Sequence, residues 1–129
     1  MKLTNNFNLS EFDCNDGTPV PAELIPNAQE LANNIQVLRD FLGCRIKINS
    51  GYRTEKYNSL IGGASKSMHL QCKAGDLSTY TFTPSQVYAA IKKLIRDGRM
   101  RDGGIGRYNG FTHYDIGSPR EWDLRTVKN

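Results

Sequence analysis

An Asn-Gly dipeptide near the end of the chain constrains the fold more than any other single feature of the sequence. Asn109-Gly110 separates two short runs, residues 104–108 and 111–116, that contain β-branched and aromatic residues. Asn-Gly favours the two-residue turns that join antiparallel strands, so the two runs are predicted to form a β-hairpin. The hairpin in turn predicts a sheet that is mainly antiparallel.

Two stretches with helical periodicity precede this hairpin. In the first, apolar residues recur three or four positions apart, Asn27 and Glu30 are expected to cap the start, and Gly43 ends the pattern. The second begins at a capping box with proline at the first helical position, Thr83-Pro84-Ser85-Gln86, and ends at Gly98. Both stretches are predicted to be helices that pack on the sheet.

The segments between these helices predict further elements. Residues 45–50 alternate in the manner of a half-buried strand, and a short helix is expected around residues 54–60, closed by Gly62-Gly63. A second strand is predicted over residues 77–82, next to Asp76. Together the elements predict an α+β fold with two main helices packed on a small, mainly antiparallel sheet.

The length and charge of the chain limit the classes of protein to which it can belong. Its 129 residues fit a single domain, which we divide into an irregular N-terminal arm (residues 1–24) and a core (residues 25–123). The formal net charge of +4 favours an anionic partner such as a cell-wall polymer or nucleic acid. Because the basic residues form no dense stripe and no nucleic-acid-binding motif is present, nucleic acid is the more distant alternative. We expect a monomer.

Cysteine usage and hydropathy point to the compartment in which the chain is made. Cys14, Cys44 and Cys72 are odd in number and lack C-x-x-C spacing, which indicates neither a disulfide framework nor a cysteine zinc site. No apolar run reaches the length of a signal peptide or of a membrane span. We therefore expect synthesis in the cytoplasm and no membrane partner, with action outside the cell requiring release or another export route.

Each of the two histidines is followed by a carboxylate. Asp76 lies seven residues after His69, and Asp115 lies two residues after His113, on the same face of the predicted strand. Two imidazoles and one carboxylate would leave a zinc ion an open fourth position, as in catalytic sites. Zinc lowers the pKa of bound water and polarises carbonyl groups, so peptide hydrolysis becomes feasible near neutral pH. The spacing alone also allows a loop histidine at His69 and a simple pair between His113 and Asp115.

A set of short motifs surrounds these residues in a fixed order. They are Ser50-Gly51-Tyr52-Arg53, Tyr57-Asn58, Gly62-Gly63-Ala64, Ser67-x-His69, Gly103-Gly104-Ile105-Gly106-Arg107-Tyr108, Phe111-Thr112-His113-Tyr114-Asp115 and Trp122. In this order they resemble the zinc D-alanyl-D-alanine carboxypeptidase family, which also contains VanX-type dipeptidases and L-alanyl-D-glutamate endolysins. The resemblance covers about residues 24–123 and is closest to a compact branch with an H-x-D metal motif, which includes murein endopeptidases. It implies a fold similar to that of hedgehog and the D-Ala-D-Ala carboxypeptidases.

The resemblance implies a role for individual side chains. His69, Asp76 and His113 match the three zinc ligands of the family. Arg53 matches an arginine that would hold either the developing oxyanion or a substrate carboxylate, work for which a permanently charged planar guanidinium is suited. Ser67 would orient the first ligand, contact substrate or simply cap its loop. The large aromatic residues are expected to pack rather than to catalyse: Tyr52 and Trp122.

Two positions depart from the family pattern. Cys72 occupies a position that is usually glycine, where its side chain is expected to shift the loop and its thiol to contact the metal or oxidise. Gly110 stands where several branches have a glutamate that serves as general base. Asp115 is then the natural candidate, either accepting a proton from the zinc-bound water or orienting His113.

These observations lead to a hypothesis about function. We expect a zinc-dependent peptidase that acts on the stem or cross-link peptides of peptidoglycan, as a carboxypeptidase or as an endopeptidase. The substrate class follows from the resemblance alone. A phage lysin or a virion-associated wall-degrading module suits the lack of a signal peptide. The alternative is a catalytically inactive zinc-binding module that binds the wall or serves in assembly.

Overall fold

A sheet of five short strands forms the centre of the structure, a computed structural model that describes residues 1–126. The strands are β1 (Lys47–Ser50), β2 (Ala74–Ser78), β3 (Gly104–Arg107), β4 (Thr112–Asp115) and β5 (Arg120–Asp123). Their order in the sheet is β1-β2-β4-β3-β5. Neighbouring strands are antiparallel except β3 and β5, which are parallel. The predicted α+β fold with a mainly antiparallel sheet is confirmed.

The two longer helices, α1 (Ile25–Leu42) and α3 (Pro84–Arg96), cover one face of this sheet. The described residues also form the short helix α2 (Glu55–Leu60) and 3-10 turns at Leu9–Phe12, Ala22–Leu24 and Met68–Gln71. Side chains of a strand alternate between the two faces of its sheet. Leu77, Ile105 and Tyr114 lie on one face and are buried against apolar residues of α1 and α3. Asp76 and His113, which pair across β2 and β4, lie on the other face. None of the helices within residues 1–126 is both long and apolar enough to cross a bilayer.

The predicted helices are present, with one difference at the start of α1. This helix begins at Ile25, with proline in its first turn, so Asn27 and Glu30 lie inside it and do not cap it. It ends as predicted at Gly43, whose φ of 69° is readily adopted by glycine. The capping box of α3 is confirmed by reciprocal hydrogen bonds between Thr83 and Gln86.

The strand predicted over residues 77–82 is wrong at both ends. The strand β2 starts earlier and stops at Ser78. The hydroxyl of Thr79 accepts a hydrogen bond from the backbone N–H of Phe82 and donates one to its carbonyl, which closes a turn. Side-chain bonds of this kind offer the backbone an alternative to the strand ladder.

The N-terminal arm packs against the rest of the chain. Phe7 and Phe12 are almost completely buried in the core. The backbone N–H of Tyr52 donates a hydrogen bond of 2.8 Å to the carbonyl of Phe12, which joins the arm to the loop between β1 and α2. Tyr52 itself packs against the core, as expected. The division into an arm (residues 1–24) and a core (residues 25–123) stays a prediction.

Cys72 is buried in the core and has an unusual backbone conformation. It is the one non-glycine residue within residues 1–126 with a positive φ, 55°, and none of its surface is exposed. Burial raises the pKa of its thiol to about 12, so the thiol is protonated at neutral pH. It packs among apolar side chains and is outside the cluster of possible metal ligands. The expected contact between this thiol and the metal is therefore absent from the described structure.

The backbone at Cys72 leads to a stability prediction. A side chain in the left-handed region costs about 1 kcal/mol or more, which glycine avoids. We expect Cys72→Gly to be more stable than Cys72→Ala by about 1 kcal/mol in denaturant unfolding, because only glycine removes the strain. Cys14 is the matched control, since it is buried at a negative φ and alanine should there be the more stable replacement. A Cys72→Ala variant that is the more stable of the pair would contradict the argument.

Candidate metal centre

Three possible metal ligands meet on the face of the sheet opposite α1 and α3. His69 lies in the 3-10 turn that precedes β2, Asp76 lies in β2, and His113 is the direct partner of Asp76 on β4. All three side chains are buried. One ligand atom from each lies within 4.8 Å of the others. Two segments that are far apart in the sequence thus supply a single cluster.

The hydrogen bonds of His69 determine which of its nitrogens is free. Its Nδ1 lies 2.7 Å from the carbonyl oxygen of Gly51, which can only accept a hydrogen bond. The ring hydrogen of the neutral imidazole is therefore on Nδ1. The lone pair is left on Nε2, which lies 3.3 Å from Oδ1 of Asp76.

In His113 the other ring nitrogen carries the hydrogen, because a carboxylate accepts a hydrogen bond from it. Its Nε2 donates a hydrogen bond of 2.6 Å to Oδ2 of Asp115, which places the free lone pair on Nδ1. Nδ1 lies 3.0 Å from Oδ1 of Asp76. The two imidazole lone pairs and the carboxylate thus converge, and this donor set fits zinc with one position open. His113 and Asp115 share a face of the strand, as predicted.

Asp115 is surrounded by hydrogen-bond donors alone. Its Oδ1 accepts from the backbone N–H groups of Gly104 and Gly117 and from Nη1 of Arg120, at 3.1, 2.9 and 2.9 Å. Its Oδ2 accepts from His113 and from Nη2 of Arg120, at 2.6 and 2.8 Å. Burial raises the pKa of this carboxyl, but the bonds from His113 and Arg120 lower it by more, to well below its ordinary range. Asp115 is completely buried and is held as an anion behind His113.

Electrostatics favour a cation at the centre of the cluster. Burial raises the pKa of Asp76, but in the absence of a metal the hydrogen bonds that the protonated rings of His113 and His69 donate lower it by more, so Asp76 is ionised. Burial lowers the pKa of His113, whereas its bonds to Asp115 and Asp76 raise it, with a net upward shift. A metal ion therefore competes with a proton for the ring of His113.

Arg53 fixes the second oxygen of Asp76. Its Nη2 donates a bond of 3.2 Å to Oδ2 of Asp76, Nη1 donates to Oδ1 of Asn58, and Nε donates to the hydroxyl of Ser50. Asn58 is itself held by a bond of 2.9 Å from its amide to the carbonyl of Ala64. The guanidinium has five N–H donors, so two remain beyond these three bonds. Arg53 lines the cleft above the cluster.

Ser67 caps the turn that carries His69. Its hydroxyl accepts a hydrogen bond of 3.2 Å from the backbone N–H of His69. This contact corresponds to the loop-capping alternative, and Ser67 also lines the cleft. The proposed contact of Ser67 with substrate stays a prediction.

Two glycines of β3 allow β5 to reach the cluster. Gly104 and Gly106 pair with Arg120 and Trp122 across the parallel ladder. A Cβ at Gly106 would lie 2.5 Å from the Trp122 ring, and one at Gly104 would lie 2.4 Å from Nη1 of Arg120. Because glycine has no side chain, Trp122 packs on His113, with ring centroids 4.9 Å apart, and Arg120 reaches Asp115.

Sequence reasoning missed β5 and the role of Arg120. The strand is a polar four-residue segment without alternation of apolar and polar residues, so its period could not be detected. Trp122 was expected to pack, and it does, against His113, while also lining the cleft. The glycines of the Gly103–Gly106 motif were the available signal, since glycine in a strand indicates the close approach of another group.

The cluster lies at the bottom of a cleft of about 650 Å³. Its lining includes residues of the loop 61–68 and the aromatic side chains of Tyr108, Phe111 and Trp122. Arg53 and Arg120 supply positive charge within the cleft. A volume of this size lies within the range of small-molecule and peptide sites, which is about 300–1,000 Å³.

Comparison with known proteins places the chain in a family. The sequence profile of the family described as Peptidase M15 matches residues 3–115. A zinc D-Ala-D-Ala carboxypeptidase of Streptomyces albus G is 30% identical over 126 residues, and the match covers 91% of this chain and 48% of that relative. The chain thus spans about half the length of the relative. Because the profile match covers most of the sequence, the chain belongs to the peptidase M15 family, the zinc metallopeptidases that its motifs resemble.

Proposed function

We propose that the chain hydrolyses peptide bonds in the stem or cross-link peptides of peptidoglycan, at a zinc centre formed by His69, Asp76 and His113. The observation that carries this proposal is the convergence of two imidazole lone pairs and one carboxylate within 4.8 Å at the base of a cleft. The name of the Streptomyces albus G relative supports the class of substrate. The net charge of +4 suits an anionic wall as the place of action.

The side chains of the site have separate roles in the proposed reaction. Zinc, when bound, supplies a Lewis acid that polarises the substrate carbonyl and lowers the pKa of water. Arg53 holds Asp76 in place and offers its two remaining N–H groups to a substrate oxygen. Asp115 fixes the tautomer of His113, so that Nδ1 would be free to bind the metal.

For Asp115 we favour this positioning role over that of general base. Each of its five hydrogen bonds comes from a donor, and its pKa is lowered, which weakens it as a proton acceptor. It does not itself line the cleft and is linked to it through the side chains of His113 and Arg120. A carboxylate with these properties orients a ligating histidine and raises the basicity of its ring more effectively than it removes protons.

A second candidate function is zinc binding without hydrolysis, in a module that binds wall peptides or serves in assembly. The observation that favours it is the composition of the cleft. Of the described residues that line the cleft, Asp76 alone carries a carboxylate, and it belongs to the proposed ligand set. Gly110 occupies the position at which several branches of the family have a glutamate.

Mass spectrometry of peptidoglycan fragments tests the two functions against each other. Fragments are incubated with zinc-loaded protein, with chelated protein and with zinc-treated His113→Ala. We expect new fragments only with the zinc-loaded wild type, and the mass lost distinguishes a carboxypeptidase from an endopeptidase of the endolysin type. If varied fragments stay intact while zinc is bound in the same sample, the hydrolytic proposal is wrong and the binding module is favoured.

A further inference from the structure

Tyr108 occupies the wall of the cleft beside the metal centre. It directly follows β3, at the start of the turn that leads into β4. Its ring stacks on Phe111, with centroids 4.4 Å apart and an angle of 14° between the planes. Its hydroxyl accepts a hydrogen bond of 2.9 Å from Nε1 of Trp122, the side chain that packs on His113.

The turn that carries Tyr108 is anchored from outside the hairpin. The side chain of Asn109 donates a bond of 2.8 Å to the hydroxyl of Thr126 and accepts one of 3.1 Å from its backbone N–H. The backbone N–H of Leu124 donates to the carbonyl of Arg107, at 2.8 Å. Hydrogen bonds on both sides of Tyr108 therefore fix its backbone, and the stacking on Phe111 fixes its ring.

The bond with Trp122 determines whether the hydroxyl of Tyr108 acts as a donor or as an acceptor in it. An indole N–H can only donate, so the oxygen of Tyr108 is the acceptor and the phenolic hydrogen is not used in this bond. Within residues 1–126, no acceptor for that hydrogen is present. A rigidly placed donor in the wall of a cleft suits an oxygen of a bound molecule.

We propose that Tyr108 is a substrate-binding residue, which donates a hydrogen bond from its hydroxyl to a carbonyl or carboxylate oxygen of the bound peptide. This inference rests on the proposed function and adds a neutral donor to the charged donors of Arg53. Trp122, which donates to the Tyr108 hydroxyl, also packs on His113, so this donor lies beside the metal centre.

Replacing Tyr108 with phenylalanine removes the hydroxyl and preserves the ring that stacks on Phe111. We expect kcat/KM for a synthetic peptide ending in D-Ala-D-Ala to fall at least about fivefold. The zinc affinity, measured by competition with a chromophoric chelator, should be unchanged, since the ligands are untouched. Tyr114→Phe is the matched control, because the Tyr114 hydroxyl bonds to the carbonyl of Arg101 and the ring lies in the core. The control should lower stability and leave kcat/KM unchanged.

The outcomes separate this inference from the proposed function. If the wild type cleaves the peptide and Tyr108→Phe cleaves it equally well, the inference is overturned and the hydrolytic function stands. If the wild type does not cleave it, calorimetry with the same zinc-loaded protein and the same peptide decides. A dissociation constant that rises at least about fivefold in Tyr108→Phe then supports the inference while hydrolysis is rejected. Equal dissociation constants, or no binding by the wild type, overturn it.

Discussion

Replacing Asp76 with alanine is expected to weaken zinc binding about a thousandfold and to abolish peptidase activity. Oδ1 of Asp76 lies between the free nitrogens of His69 and His113, at 3.3 and 3.0 Å, so the variant loses the only charged member of the ligand set. Protein zinc sites with four ligands bind with about 10–16 kcal/mol, so one ligand contributes on the order of 4 kcal/mol. That free energy corresponds to about a thousandfold in affinity.

Zinc affinity is measured by competition with a chromophoric chelator, and activity by the release of peptide fragments. Asp97→Ala is the matched control, since it also removes a carboxylate, but an exposed one that pairs with Lys93 on the helix surface. The control should bind zinc as the wild type does. If Asp76→Ala retained wild-type zinc affinity, the proposed ligand set would be wrong.

Replacing Asp115 with asparagine is expected to destabilise the protein by about 3–5 kcal/mol and to lower zinc affinity about 10- to 100-fold. All five hydrogen bonds to this carboxylate come from donors. An asparagine side chain has one NH₂ group, which would face donors in either orientation and leave the charge of Arg120 unpaired. The ring of His113 would at the same time lose the partner that fixes its tautomer.

Denaturant unfolding of the zinc-free protein and zinc competition together test this prediction. Because the pKa of Asp115 is lowered from its ordinary value of 3.8, its stabilising effect is complete above that pH. The effect is lost as the pH falls through the lower pKa of the folded state, so the difference between wild type and variant should shrink in acid. Glu30→Gln, at an exposed pair with Arg101, is the control and should cost less than about 1 kcal/mol. An Asp115→Asn variant as stable as this control would refute the account.

The elements that could be predicted from the sequence are those determined by local patterns. Helix α1 follows from apolar spacing and from Gly43, α3 from its capping box, and the β3–β4 hairpin from Asn109-Gly110. In each case the signal lies within the element or directly beside it. The strand β5 gives no such signal, because its pairing with β3 is parallel and depends on a sheet that is already formed.

The same distinction applies to the site. The three possible ligands could be predicted because residue type, spacing and surrounding motifs agree, and the structure brings them together. The role of Asp115 could not be decided, since it depends on donors supplied by Gly104, Gly117 and Arg120. These groups come from three segments whose approach to one carboxylate is a property of the folded sheet.

Cys72 shows how a correct observation can lead to a wrong expectation. The sequence places a side chain where the family usually has glycine, and the structure explains that preference through a positive φ. Sequence proximity to His69 suggested contact with the metal. The left-handed residue instead turns the chain between the 3-10 turn and β2, and the thiol is buried in the core.

The pairing of Asp76 with His113 across β2 and β4 has a consequence for the fluctuations of the folded protein. A metal held by both residues is bound only while the two central strands remain paired. Such a ligand makes local opening rarer by the factor 1 + [L]/Kd, which is about a hundredfold when free zinc exceeds its dissociation constant a hundred times. The ion would then cross-link the two central strands of the sheet. The same ion that is proposed to activate the substrate would also stabilise the pairing of β2 with β4.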